Sequence, residues 1–264
     1  MPKTKDLSKG VIVVLSGGPF DEMNPPEVRG RMNDYITAVN DDPFVKSSTN
    51  GKGLRFQLLP GQKEKYIHQS HWRKICKALK PIDATPLIVV GHSYGGAAAL
   101  NVVQCVEKEG TKVDFLFTAD SVGTLDDLGD PHGVNRVPAN VRLNINTWVI
   151  PTIENITVPF PIGRPNMRAT GVALKSLLNV GLRYHLPGAV AHRNAFYHPA
   201  GGDKRPDQSL EFPSVLLQAT LASLRGEPHD TILAGVVKPL QALATGAKIE
   251  IELATAKFTK KLKP

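Results

Sequence analysis

Residues 87–100 read LIVVGHSYGGAAAL, and this stretch restricts the fold of the 264-residue chain more tightly than any other. Four apolar residues in a row, Leu87 to Val90, leave no polar face, so a strand built from them must be covered on both sides. Gly-His-Ser-Tyr-Gly-Gly ends the run, and Ala97, Ala98, Ala99 and Leu100 follow with the small apolar side chains of a buried helix. A strand that turns straight into a helix belongs to a parallel sheet held between two helical layers.

The rest of the chain repeats this alternation. VIVVLSGG, from Val11 to Gly18, predicts a first buried strand that ends in glycines. In PPEVRGRMNDYITAV, Val28, Met32, Tyr35, Ile36 and Val39 recur at helical spacing behind two prolines. LRFQLLPG predicts a second strand, and Trp72, Ile75, Cys76 and Leu79 in HQSHWRKICKALK make one apolar helical stripe. After the third strand and its helix, which Gly110 stops, come VDFLFTAD, VRLNINTWVI and NVGLRYHLPG as strands four to six. LEFPSVLLQATLASL and DTILAGVVKPLQAL predict two closing helices, and KIEIEL alternates as a late edge strand would. The expected fold class is α/β: one domain over 1–264, with a mainly parallel six-stranded sheet and helices on both faces. Residues 151–171, PTIENITVPFPIGRPNMRATG, carry too much proline and glycine for regular structure and are expected to form a cap over a pocket.

The net charge of +8 does not mark a nucleic-acid binder. Lys3, Lys5 and Lys9 against Asp6 give +2 in the first ten residues, and Lys257, Lys260, Lys261 and Lys263 give +4 in the last eight. Only +2 remains for the body between, where a basic groove would need clustered charge. The charged ends read as solubilising tails, the C-terminal one suited to weak contact with an anionic membrane surface. No apolar run is long enough to cross a bilayer, and the opening MPKTKDLSKG lacks the features of a secretory signal. A cytoplasmic location is expected, with export by a signal-independent route left open. Cys76 and Cys105 each fall on the apolar side of a helix and read as small buried hydrophobes, not as a disulfide pair or metal ligands.

A serine hydroxyl is a weak nucleophile until a base takes its proton and the backbone lifts it clear of its neighbours. Gly-His-Ser-Tyr-Gly between a buried strand and a helix does the lifting, because residues two before and two after the serine approach too closely for a β-carbon. Gly91 and Gly95 meet that need, and the following helix aims its positive end at the site. On these residues the chain resembles the α/β-hydrolase superfamily, over Val11 to about His198. The resemblance implies a lipase- or esterase-like serine nucleophile at Ser93, followed along the chain by an acid and then a histidine. Asp120, at the end of the fourth strand, is the first choice of acid, and Glu154 after the fifth is the alternative. His192, just past the sixth strand, is the first choice of base, ahead of His198 and His229. The implied oxyanion hole takes the N–H groups of Tyr94 and of Gly18, in a loop where Ser16-Gly17 replaces the family's His-Gly. GHSYGGA, FTADSVGTL and LPGAVAH are also similar to bacterial phospholipase-like members, which often carry arginine where this chain has Tyr94.

Other chemistries find little footing. No Cys/His spacing fits zinc, Asp126, Asp127, Asp130 and His132 lack the ligand order of a calcium loop, and no dinucleotide or P-loop glycine pattern follows a strand. No cofactor or metal is therefore expected. The expected activity is hydrolysis of a small-molecule or lipid carboxylic ester through an acyl-serine. A thioesterase or acyltransferase using the same triad, and a non-catalytic binding protein, are the alternatives. Phe20, Phe160 and Met167 are the residues expected to tune acyl length.

Overall fold

A computed structural model describes residues 5–15, 35–59, 69–79, 84–92, 94–119, 121, 136–149, 168–169, 177–184, 212–245, 249–255 and 258–261. Its strands are β1 (Val11–Leu15), β2 (Arg55–Leu59), β3 (Leu87–His92), β4 (Phe115–Ala119), β5 (Arg136–Val137), β6 (Asn144–Val149), β7 (Arg168–Ala169), β8 (Leu177–Tyr184), β9 (Ile249–Thr255) and β10 (Phe258–Lys261). Its helices are α1 (described over 35–41), α2 (Pro43–Thr49), α3 (Gln69–Leu79), α4 (Tyr94–Glu107), α5 (Phe212–Arg225) and α6 (His229–Thr245).

Eight strands form one sheet in the order β10-β9-β8-β6-β4-β3-β1-β2. The pairs from β2 through β8 are all parallel, and β9 and β10 close the edge as an antiparallel hairpin beside β8. All residues of β1, β3 and β4 are buried, as continuous apolar runs require. Alternate side chains then feed two separate cores. Ile12, Val14, Ile88, Val90, Phe115, Phe117 and Ile145 pack with Tyr35, Val39, Leu216, Leu224 and Ile232 from α1, α5 and α6. Val11, Val13, Leu15, Leu87, Val89 and Leu116 pack on the other face with Ile75, Leu79, Ala98, Val102 and Val106 from α3 and α4. The protein is therefore α/β, a largely parallel sheet between two helical layers.

Three details depart from the sequence reading. The sheet carries two strands more than the six expected, because the alternating KIEIEL run forms β9 and the next residues return as β10. The basic end is thus no free tail over Phe258–Lys261. Lys260 and Lys261 sit on the outermost strand, where lysines discourage further strand addition. The 151–171 segment ends in a short strand, since Arg168 and Ala169 pair with Arg136 and Val137 in a two-stranded sheet. A short helix, α2, stands before β2 where the periodicity gives no helix. Asp42 caps it by accepting from Phe44 N at 2.9 Å and Val45 N at 3.2 Å, with Pro43 just inside its start.

The largest correction concerns the cysteines. Cys76 of α3 and Cys105 of α4 form a disulfide, with Cα atoms 6.1 Å apart, and no described cysteine is free. Each residue does lie on the apolar side of its helix. What the single-helix view misses is that α3 and α4 share one layer, so their apolar stripes face each other. The bond closes a loop of 29 residues, which the chain-entropy account values at about 3.5 kcal/mol. Replacing both residues (Cys76→Ala with Cys105→Ala) is expected to lower the melting temperature by about 5–10 °C, and reductant to do the same to the parent chain. Identical melting curves with and without reductant would count against the bond.

Candidate active site

β3 ends at His92 and α4 begins at Tyr94, so a single residue, Ser93, joins strand to helix. The join is made by close backbone approach. A β-carbon on Gly91 would lie 2.7 Å from the carbonyl carbon of Gly95 and 2.8 Å from Cα of Gly96, and it would overlap the Gly95 oxygen. These partners are backbone and cannot swing aside, so no residue larger than glycine fits at 91. Gly96 is constrained from another side, because a β-carbon there would lie 2.8 Å from Cβ of Ser121. Tyr94 is the first residue of α4, and the N–H groups of a first helical turn have no acceptor within their own helix.

The sheet order places this turn at a reversal. β1 is followed outward by β2 on one side, whereas β3, β4, β6 and β8 step away on the other. Ligands of open α/β sheets bind outside the carboxyl ends of the strands at such a point. Leu15, the last residue of β1, is in register with Gly91, and Ala119, the last of β4, is in register with His92. The segments that continue from Leu15, His92, Ala119, Val149 and Tyr184 therefore all leave from one edge of the sheet. Ser93, Asp120, His192, Gly18, Glu154 and His198 lie on those segments, outside the described residues, as do Phe20, Phe160 and Met167.

Polar groups that the sequence reading did not single out are buried along β4 and β6. Thr118 donates to Asn146 Oδ1 at 2.7 Å, and Asn144 Nδ2 donates to the Leu116 carbonyl at 3.0 Å. Two buried hydroxyls, on Ser121 and Thr147, have no hydrogen-bond partner. In β6, Asn144 and Asn146 alternate with Ile145, and all three are buried.

The opposite edge holds a charged cluster. Asp114, just before β4, accepts from Lys5 and Arg142 at 3.0 Å each and from the Leu87 N–H at 3.0 Å. Lys5 also donates to the Ser223 carbonyl at 2.8 Å, so one carboxylate ties the N-terminal segment, β3, the approach to β6 and α5 together. His229 lies within electrostatic reach of this cluster. His229 opens α6, and the charged groups that act on it stand at the amino ends of the strands. Burial, with Arg142 and Lys5 adding to it, holds its imidazole below the ordinary 6.5, while Asp114 and Asp230 oppose the shift. Above pH 6.5 the ring is neutral in both folded and unfolded chains and adds nothing to the pH dependence of stability. As pH falls through 6.5 the unfolded chain takes up a proton first, so stability is lost.

Two outcomes are expected. Gly91→Ala forces the turn apart and costs about 1–3 kcal/mol or more, read as a lower melting temperature. His229→Gln flattens the fall in melting temperature between pH 7 and 5.5, where the parent chain declines more steeply.

No protein-family model matches the chain, and no curated protein does. Among solved structures it is similar to one described as "putative cell surface hydrolase" from Lactobacillus plantarum WCFS1, at 13% identity and a TM-score of 0.46, over 88% of this chain and 98% of that one.

Proposed function

We propose that the chain is a serine hydrolase of the α/β-hydrolase kind, one domain that cleaves a carboxylic ester through an acyl-serine. The observation that carries this reading is the one-residue β3–α4 turn, with Gly91 pressed against Gly95 and Gly96 beside the strand-order reversal. That geometry has a clear use if residue 93 must project a reactive group at the carboxyl edge.

In this reading Ser93 attacks the acyl carbonyl while His192 takes its proton, and Asp120 holds the imidazole in the productive tautomer. The N–H groups of Gly18 and Tyr94 receive the negative charge that builds on the carbonyl oxygen. Collapse of the tetrahedral adduct breaks the ester C–O bond, and the alcohol leaves with the proton from His192. Water, deprotonated by the same ring, then attacks the acyl-serine, and the carboxylic acid departs as Ser93 recovers its proton. Residues 151–171 would cap the acyl pocket. The Cys76–Cys105 bond favours work in an oxidising compartment after export over the cytoplasm.

The test is turnover of short p-nitrophenyl esters by the parent chain and by Ser93→Ala. Loss of at least about a thousandfold in kcat, with an unchanged melting temperature, is expected. Equal turnover by the variant would refute the assignment.

A further inference from the structure

The loop that the Cys76–Cys105 bond closes contains all of β3 and the turn at Gly91, Gly95 and Gly96. The two helices it joins are not held alike. α4 packs directly on β1, β3 and β4, with Ala98, Val102, Val103 and Val106 buried there. α3 leans chiefly on α4, and among the described residues it gives that core only Ile75, Cys76 and Leu79, with Trp72 half-buried beside them. No residue of α3 enters the core on the opposite face of the sheet. As a helix α3 is also weak in its own right. It has 11 residues, a length at which isolated helices are marginal. Lys77 follows Arg73 by four positions and Lys74 by three, with no carboxylate anywhere in QSHWRKICKAL, and like charges at that spacing oppose a helix. Cys76 is 1% exposed, whereas Cys105 is only partly buried, so a reductant meets the bond at Cys105.

We propose that the bond is a redox-sensitive latch on α3: oxidised, it holds α3 shut against α4, and reduced, it lets α3 leave as one unit while α4 and the strands beneath it stay folded. The inference does not depend on the serine-hydrolase reading. A thiolate of a dithiol reductant attacks Cys105 Sγ, the S–S bond breaks, and its electron pair passes to Cys76 Sγ, which takes up a proton. The second thiolate of the reductant then attacks its partner sulfur in the mixed disulfide. That expels the Cys105 thiolate, which is protonated in turn, and leaves the reductant as a cyclic disulfide. What then holds α3 is a short apolar stripe working against the repulsion of its own cations. A segment with so few buried contacts opens before the rest of the fold does. α3 is therefore closed where disulfides form and open where thiols prevail.

The experiment is amide hydrogen exchange, read by mass spectrometry on peptides from α3, β3 and β4, before and after dithiothreitol under native conditions. Thiol titration follows the bond, and the double variant (Cys76→Ala with Cys105→Ala) is the control. Once the bond is reduced, the amides of α3 are expected to exchange at least about tenfold faster while those of β3 and β4 keep their protection. The double variant is expected to exchange as the reduced parent does and to ignore the reductant. Trypsin gives a second readout, since Arg73, Lys74 and Lys77 are expected to be cut in the reduced chain and spared in the oxidised one. If the double variant does not fold, reduction of the parent carries the test alone. Unchanged protection of α3 in a chain that titrates two thiols would overturn the inference. So would loss of protection in α3, β3 and β4 together, which would assign the bond to the whole fold. Two free thiols in the air-oxidised chain before any reductant would remove the latch itself.

Discussion

The structure turns on one close contact, the approach of Gly91 at the end of β3 to Gly95 and Gly96 at the start of α4. A helix can begin one residue after a strand only if the two backbones nearly touch. The contact is affordable because glycine stands on both sides of it. It fixes where α4 starts, and α4 then lays Ala98, Val102 and Val106 over the sheet. The alanines matter here as much as the glycines, since small side chains let the helix lie close to β3.

The two edges of the sheet are built from different chemistry. At the amino edge Asp114 gathers two cations and a backbone N–H, and the segments it joins are far apart in sequence. A buried carboxylate satisfied in this way holds a fold together, and removing one partner would leave charge stranded. At the carboxyl edge the buried hydroxyls of Ser121 and Thr147 go unpaired, and six parallel strands deliver their following segments to one side. The amino edge is not free of such groups either, since the buried Asn140 Oδ1 there also goes unpaired.

Much of the fold was legible because parallel strands buried on both faces leave an unmistakable trace. LIVV and VIVVL have no reading as amphipathic helix, and Tyr35 and Val39 or Ile75 and Leu79 mark the sheet-facing sides of α1 and α3 at helical spacing. The glycines of the turn were legible for the same reason, since steric exclusion is local. What escaped depends on neighbours distant in sequence. Cys76 and Cys105 look alike whether or not their helices face each other. Asn144 and Asn146 alternate with an apolar residue as on a half-exposed strand, yet both are buried. Ser121 packs against Gly96, 25 residues earlier in the chain. Asp42-Pro43, by contrast, is a local helix-start signal, a capping carboxylate followed by proline at the first helical position.

The central claim is that the residue presented between β3 and α4 is a nucleophile. It is tested most directly by treating the folded chain with a fluorophosphonate and locating the adduct by peptide mass mapping. The account expects one phosphonate per chain, on Ser93, with unfolded protein left unmodified. An adduct on a different residue, or none on protein that melts cooperatively, would contradict it.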